Sequence, residues 1–271
     1  DITFKARVVS ASYDEGENFW HVRTETGQHY AARFLITAVG CLSSANLPKI
    51  AGIPDFQGKW YHTGEWPHEG VDFAGKRVGV IGTGSTGIQA IPVVAQAAQH
   101  LTVFQRTANY SIPARNGPLS DDFKKYVREN FGEIRDVMRS TVNGHPWRIA
   151  DRSVLEVTDA ERNEIFEKAW DKGGLRLRAE FRDVLTNEEA NRIISDFLKK
   201  KIGQIVKDPA KAAILADIDH GFATKRPPID TGYFETYNRD NVALVNLRAE
   251  PIERITTTGV KTSKGEYKLD I

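Results

Sequence analysis

Cysteine is almost absent: Cys41 is the single one among 271 residues. That excludes an internal disulfide framework and any metal centre built on clustered thiolates. The seven histidines are scattered, with no HxH or HxxxH pair of the kind that holds zinc. An excess of charge of either sign is missing too. The chain carries 37 Lys and Arg against 36 Asp and Glu, a net charge of +1, and no long basic run offers a nucleic-acid surface. No uninterrupted apolar stretch reaches the roughly 18 residues that a membrane span requires, so no membrane partner is expected. Neither an initiator Met nor a signal peptide opens the chain: Asp1 falls inside a strand-like pattern, and Tyr267-Lys268-Leu269-Asp270-Ile271 closes it mid-pattern. These ends read as those of a piece of a longer protein, and the expected location is the cytoplasm. What remains is ordinary globular material, 40% hydrophobic and 27% charged, enough for one large or two modest domains with a real core.

The most informative stretch is Gly79-Val80-Ile81-Gly82-Thr83-Gly84-Ser85-Thr86-Gly87-Ile88-Gln89. Lys76–Ile81 reads as a short buried strand and Ile88–Gln99 as a helix, which puts the three glycines on a strand-to-helix turn. G-x-G-x-x-G has a physical function there: Gly82 permits the tight turn, Gly84 lets backbone N–H groups approach a pyrophosphate, and Gly87 lets helix and strand pack closely. The helix N-terminus adds N–H donors and positive potential for phosphates. Gly82 to Gly87, with Gln89, are therefore candidate dinucleotide contacts. A second strand, Leu101–Arg106, completes a βαβ unit and ends in Arg106-Thr107. An acidic residue at this point favours NAD; a guanidinium fits the 2′-phosphate of NADP in a bidentate way, and Thr107 adds a hydroxyl. NADPH is the expected carrier.

Around this unit the patterns change. Residues 2–40 read as a meander, with strands over Ile2–Tyr13, Phe19–Thr24 and Tyr30–Val39. Its last run, Phe34–Gly40, is apolar on both faces like a buried parallel strand. From Ser120 to about Ala216 the period is helical. Phe123, Tyr126, Val127, Phe131, Ile134 and Met138 form one stripe, and capping boxes are expected at Thr158-Asp159-Ala160-Glu161 and Thr186-Asn187-Glu188-Glu189. Lys199-Lys200-Lys201 reads as a solvated face. Strands return at Val242–Leu247, Ile252–Ile255, Val260–Ser263 and Tyr267–Ile271, so the end of the chain echoes its beginning. Two similar dinucleotide-binding modules are the simplest account.

Phe56-Gln57-Gly58-Lys59-Trp60-Tyr61-His62-Thr63-Gly64-Glu65-Trp66-Pro67 resembles the F-x-G-x-x-x-H-T-x-x-W-P fingerprint of type I Baeyer–Villiger monooxygenases, of the cyclohexanone-oxidising kind. Phe56, Gly58, His62, Thr63, Trp66 and Pro67 fill its fixed positions. The resemblance implies an α/β flavoprotein with two dinucleotide-binding domains. Residues 1–50 would belong to a partial FAD-binding domain, 51–75 to the fingerprint linker, and 76–271 to a Rossmann-like NADPH domain with a helical insertion at about 119–216. It also implies a reaction in which NADPH, FAD and O2 convert a ketone to an ester or lactone. A second landmark, Ala223-Thr224-Lys225-Arg226-Pro227-Pro228, carries the family's basic pair. Arg226 would stabilise the negatively charged intermediates over the flavin, Lys225 would hold the NADP 2′-phosphate, and His62 would order the linker. Val8 would touch the adenine end of FAD. The FAD-side glycine fingerprint, the acidic partner of the arginine and most of the substrate pocket are expected in the rest of the polypeptide. The chain alone is therefore expected to turn over no ketone. The competing readings are a flavin monooxygenase acting on nitrogen or sulfur and a non-catalytic NADP-binding module. Trp66-Pro67 and Lys225-Arg226 speak against the first of these.

Overall fold

A computed structural model describes residues 2–40 and 42–271; Asp1 and the sole cysteine, Cys41, lie outside the described residues. The chain divides into two compact units after Leu47.

In the first unit β1 (Val8–Asp14), β2 (Phe19–Thr24) and β3 (His29–Ala32) form an antiparallel sheet in that order. The Asp14 carboxylate accepts from the backbone N–H groups of Gly16 and Glu17 and closes the first turn. Gly27 turns the second at φ 82°, a left-handed conformation that costs glycine little. Two expectations need correction. The first strand begins at Val8, not Ile2, and the third ends at Ala32. Residues 34–40 form no strand, and Phe34 and Ile36 are 86% and 87% exposed. A parallel strand is stable only with neighbours bonded to its edges and layers over both faces. Among the described residues none pairs with this run as a strand.

The second unit is built on a parallel sheet of β4 (Arg77–Ile81), β5 (His100–Gln105) and β8 (Val242–Asn246), in the order β4-β5-β8. Helix α1 (Ser85–Ala97) crosses from β4 to β5 and buries Ile88, Ile91 and Val94. Between β5 and β8 the chain makes its long excursion. It passes through β6 (Ile112–Pro113), α2 (Asp121–Glu129), α3 (Phe131–Ser140), α4 (Asp159–Lys172), α5 (Glu188–Ile205), α6 (Pro209–Ala216), β7 (Ile229–Asp230) and α7 (Tyr233–Thr236). β6 and β7 pair in parallel and pin the two ends of the excursion together.

The helical stripe from Phe123 to Met138 is two helices broken at Asn130, and neither buries a residue. By contrast, Phe166 and Trp170 of α4 pack on Phe197 of α5. The capping box at Thr158 and Glu161 forms. At the next helix Asn187, not Thr186, is the cap, accepting from the Ala190 N–H because the helix starts one residue later. The lysine run is only partly solvated. Lys199 donates to the Ile218 carbonyl, and Lys201 pairs with Glu167 over the rings of Trp170 and Phe197, where a cation meets the negative ring faces.

A second antiparallel meander closes the unit: β9 (Ile252–Thr256), β10 (Gly259–Thr262) and β11 (Glu266–Lys268). Ile255, Val260 and Leu269 share a core with Phe104 and Val245 of the parallel sheet. The chain then runs beside β4. The Gly79 N–H donates to the Ile271 carbonyl at 2.9 Å, and the Arg77 guanidinium grips both Asp270 oxygens at 3.1 and 2.6 Å. These bonds hold the Asp270 carboxyl down at about 2.

Candidate functional site

Ligands of open α/β sheets bind beyond the carboxyl ends of the parallel strands, and the candidate residues collect there. The turn after β4 uses its glycines differently. Gly82 sits at φ 103° and donates to the Phe104 carbonyl of β5 at 3.0 Å. A Cβ on Gly87 would lie 2.3 Å from the Gly82 carbonyl oxygen, so only glycine lets α1 start this close to the turn. At Gly84 nothing lies within 4 Å of where a Cβ would be, and no side chain caps the helix it introduces. The backbone at Gly84 is thus open to close approach, and the first N–H groups of α1 lack a side-chain acceptor, as suits an acceptor-rich pyrophosphate. A nucleotide phosphate fits this donor set.

Ser85 and Thr86 are exposed on the first turn. Thr83 is buried, and its hydroxyl donates to the Thr107 carbonyl at 3.1 Å, which ties the glycine turn to the end of β5. Gln89 donates to the Ile229 carbonyl at 3.0 Å and so links α1 to the loop carrying the basic pair. Arg106 is exposed just beyond β5, and among the described residues no hydrogen bond or ion pair engages it. Arg226 is exposed and likewise unengaged among the described residues.

Lys225 meets groups the sequence did not point to. Its Nζ lies 3.8 Å from Asp219 Oδ1. His220 sets Nδ1 at 3.1 Å from that same oxygen and Nε2 at 3.1 Å from Asn109 Oδ1, three residues past Arg106. Arg248, just after β8, brings Nη2 to 2.5 Å from Asp219 Oδ2. The His220 ring and then the Arg248 guanidinium pull the Asp219 carboxyl down to about 2. Asp219 and His220 are adjacent and precede Lys225 by a few residues, but Asn109 and Arg248 come from distant stretches of the chain, and no spacing could have joined those to the loop. Below the loop the Ser111 hydroxyl donates to the buried Asp230, whose other oxygen accepts from the Tyr233 N–H at 2.8 Å. A groove of about 630 Å³ with a mixed polar and apolar lining runs along α5 from Asn187 to Lys199 and reaches Asp219 and His220.

The fingerprint segment is ordered on the second meander. Gln57 and Lys59 donate from their backbones to the Thr257 and Asp270 carbonyls at 3.1 Å. A Cβ on Gly58 would lie 2.5 Å from that Asp270 oxygen and from the Phe56 ring. His62 Nδ1 accepts from the Gly64 N–H and caps the turn that begins at Thr63, a local structural task. Trp66 lies between Tyr61 and Phe73, with ring centroids 5.8 and 6.2 Å away, and the Pro67 carbonyl accepts from Gly70. Val8 is exposed at the start of β1. Among the described residues, Asp14, Glu17 and His21 are close enough to share a metal ion, on the exposed first turn.

No family model matches the chain. Individual relatives do. It is 47% identical to a cyclohexanone 1,2-monooxygenase of an Acinetobacter species, over 99% of this chain and 49% of that protein. It is 42% identical to the phenazine N-monooxygenase PhzNO1 of Lysobacter antibioticus, over 100% of this chain and 50% of that one. It superposes with TM-score 0.94 on an oxidized steroid monooxygenase bound to NADP, at 48% identity, covering 100% of this chain and 52% of the other. The chain thus spans about half the length of the proteins it matches.

Proposed function

We propose that this chain is the NADPH-binding part of a Baeyer–Villiger monooxygenase, an enzyme converting ketones to esters or lactones with O2. The observation that carries this reading is the glycine turn, closed at Gly87 and open at Gly84 before an uncapped helix start. There the backbone from Gly82 to Gly87, with the hydroxyls of Ser85 and Thr86, receives the pyrophosphate. Thr83 and Gln89 fix the turn against β5 and the 229 strand. Arg106, Thr107 and Lys225 would hold the 2′-phosphate, since a planar fork and a mobile ammonium both suit a dianion.

Nicotinamide supplies reducing equivalents and FAD activates O2 when both are bound. FAD would be held largely by the rest of the polypeptide, with the exposed Val8 at its adenine end. Arg226 donates to the negative charge that develops on oxygen. An always-charged donor is suited to that task where water is excluded. Phe56, Gly58, His62, Thr63, Trp66 and Pro67 order the connection between the two nucleotide sites, and no proton transfer is assigned to His62. The cytoplasm is the fitting compartment for an NADPH consumer.

A second reading has an observation in its favour. The phenazine N-monooxygenase matches this chain over the same span. Holding nucleotide and stabilising negative charge serve oxygen transfer to nitrogen as well as to a carbonyl, so the acceptor is set by the pocket walls. Product analysis of the whole enzyme with a ketone and an aromatic N-heterocycle separates the two: ester or lactone supports the leading reading, and N-oxide alone overturns it. For the cofactor, replacing Arg106 with Ala should cost about tenfold in NADP+ affinity by calorimetry and leave NAD+ unchanged. An unaltered preference overturns the assignment.

A further inference from the structure

The segment leading to Lys225 is gripped by side chains that no fingerprint contains. β5 and β8 are parallel neighbours in which Gln105 is paired with Asn246, and the Leu247 N–H donates to the Gln105 carbonyl at 2.8 Å. Arg106 and Arg248 therefore leave the sheet from adjacent strand ends. Their charges are treated differently. Arg248 is taken up by Asp219 at 2.5 Å and Asp217 at 3.5 Å, whereas Arg106 is left to an outside anion. The Asp219 carboxylate also meets His220, which reaches Asn109, and Lys225. One carboxylate thus joins the ends of two strands to the lysine of the loop. Its contact with Lys225 is long, and that side chain is 56% exposed. The ammonium is held in place yet free to turn to a stronger anion, because a carboxylate shared with Arg248 and His220 attracts it less than a phosphate dianion does.

On the reading that Arg106 and Lys225 take the 2′-phosphate, we propose that Asp219, clamped by Arg248, is the positioning residue that carries Lys225 to the end of β5 and sets the preference for the phosphorylated cofactor. Without it the lysine's rotamers are unrestrained, and their ordering falls on the binding step. The carboxylate's own repulsion of phosphate is already offset by Arg248, so loss of position outweighs relief of repulsion.

The test is calorimetric titration of the full chain with NADP+, NAD+, 2′,5′-ADP and 5′-AMP. Asp219→Asn should lower the ratio of NADP+ to NAD+ affinity, and of 2′,5′-ADP to 5′-AMP affinity, by about threefold to fivefold, the scale of an exposed ion pair. NAD+ and 5′-AMP affinities should stay constant. Asp219→Glu should keep most of the ratio. Arg248→Gln, which removes the clamp but leaves the carboxylate, should lower it similarly. In a Lys225→Ala background, Asp219→Asn should change nothing further. An unchanged or raised ratio, or equal losses for phosphorylated and unphosphorylated ligands, overturns the proposal. If Arg106→Ala and Lys225→Ala also leave the ratio untouched, the 2′-phosphate assignment itself fails. If they lower it and Asp219→Asn does not, only the role of Asp219 falls.

Discussion

The two meanders carry the same sequence pattern and come to different ends. Each is three antiparallel strands in sequential order with glycine in a turn. The first, β1 to β3, buries only Val22 and Thr24 among its described residues. The apolar run that follows it lies exposed. The second, β9 to β11, sets Tyr267 edge-on to Phe104 at 5.3 Å, and its continuation bonds to β4. An apolar strand pattern therefore states a demand for cover and not a location. It becomes a core only where a neighbouring strand offers unpaired N–H and C=O groups and a facing layer.

The largest test of this contrast is at two glycines, Gly259 at the start of β10 and Gly27 in the turn between β2 and β3. A Cβ on Gly259 would lie 1.9 Å from the Tyr267 carbonyl oxygen, whereas one on Gly27 meets nothing within 4 Å. Gly259→Ala should destabilise the second unit by about 3 kcal/mol in urea denaturation, because backbone has to move. Gly27→Ala should cost about 1 kcal/mol, from its positive φ alone. Equal losses would mean that the two meanders are held alike.

Next come the apolar side chains. Leu269 is buried against the parallel sheet and Val9 is exposed. Leu269→Ala should cost about 2–3 kcal/mol, and Val9→Ala less than about 0.5 kcal/mol. A large loss at Val9 would show the first meander to be covered.

The smallest effect is in acid. The Arg77 contacts lower the carboxyl of Asp270 from 3.8 to about 2. A lowered carboxyl favours the folded state above the unfolded value, so this contribution is complete above pH 3.8 and is lost as pH falls toward about 2. Asp270→Asn should flatten that part of the stability profile. A profile as steep as the parent's would remove the anchor from the account.

Much of this could be read from local spacing. The glycine turn, the βαβ unit, the Thr158 capping box and the strands after Val242 all depend on residues within a turn or two of each other. The stripe from Phe123 to Met138 was as regular as that of α5, yet it breaks at Asn130 and stays uncovered. Lys201 looked solvated and lies on two aromatic rings. For Lys201 the deciding partners, Glu167 and Trp170 of α4, are distant in sequence, and for the stripe no distant element among the described residues covers it.

The sequence by itself determined the glycine turn, since glycine alone tolerates Gly82's dihedral and Gly87's approach to a carbonyl, and it determined the fingerprint and the basic pair. Only the tertiary structure decided which apolar runs are covered and which groups surround the carboxylate that Lys225 meets. The second outcome rests on Asp219 and His220 meeting Arg248 and Asn109 from other stretches of the chain, and contact between distant residues leaves no periodicity in the sequence.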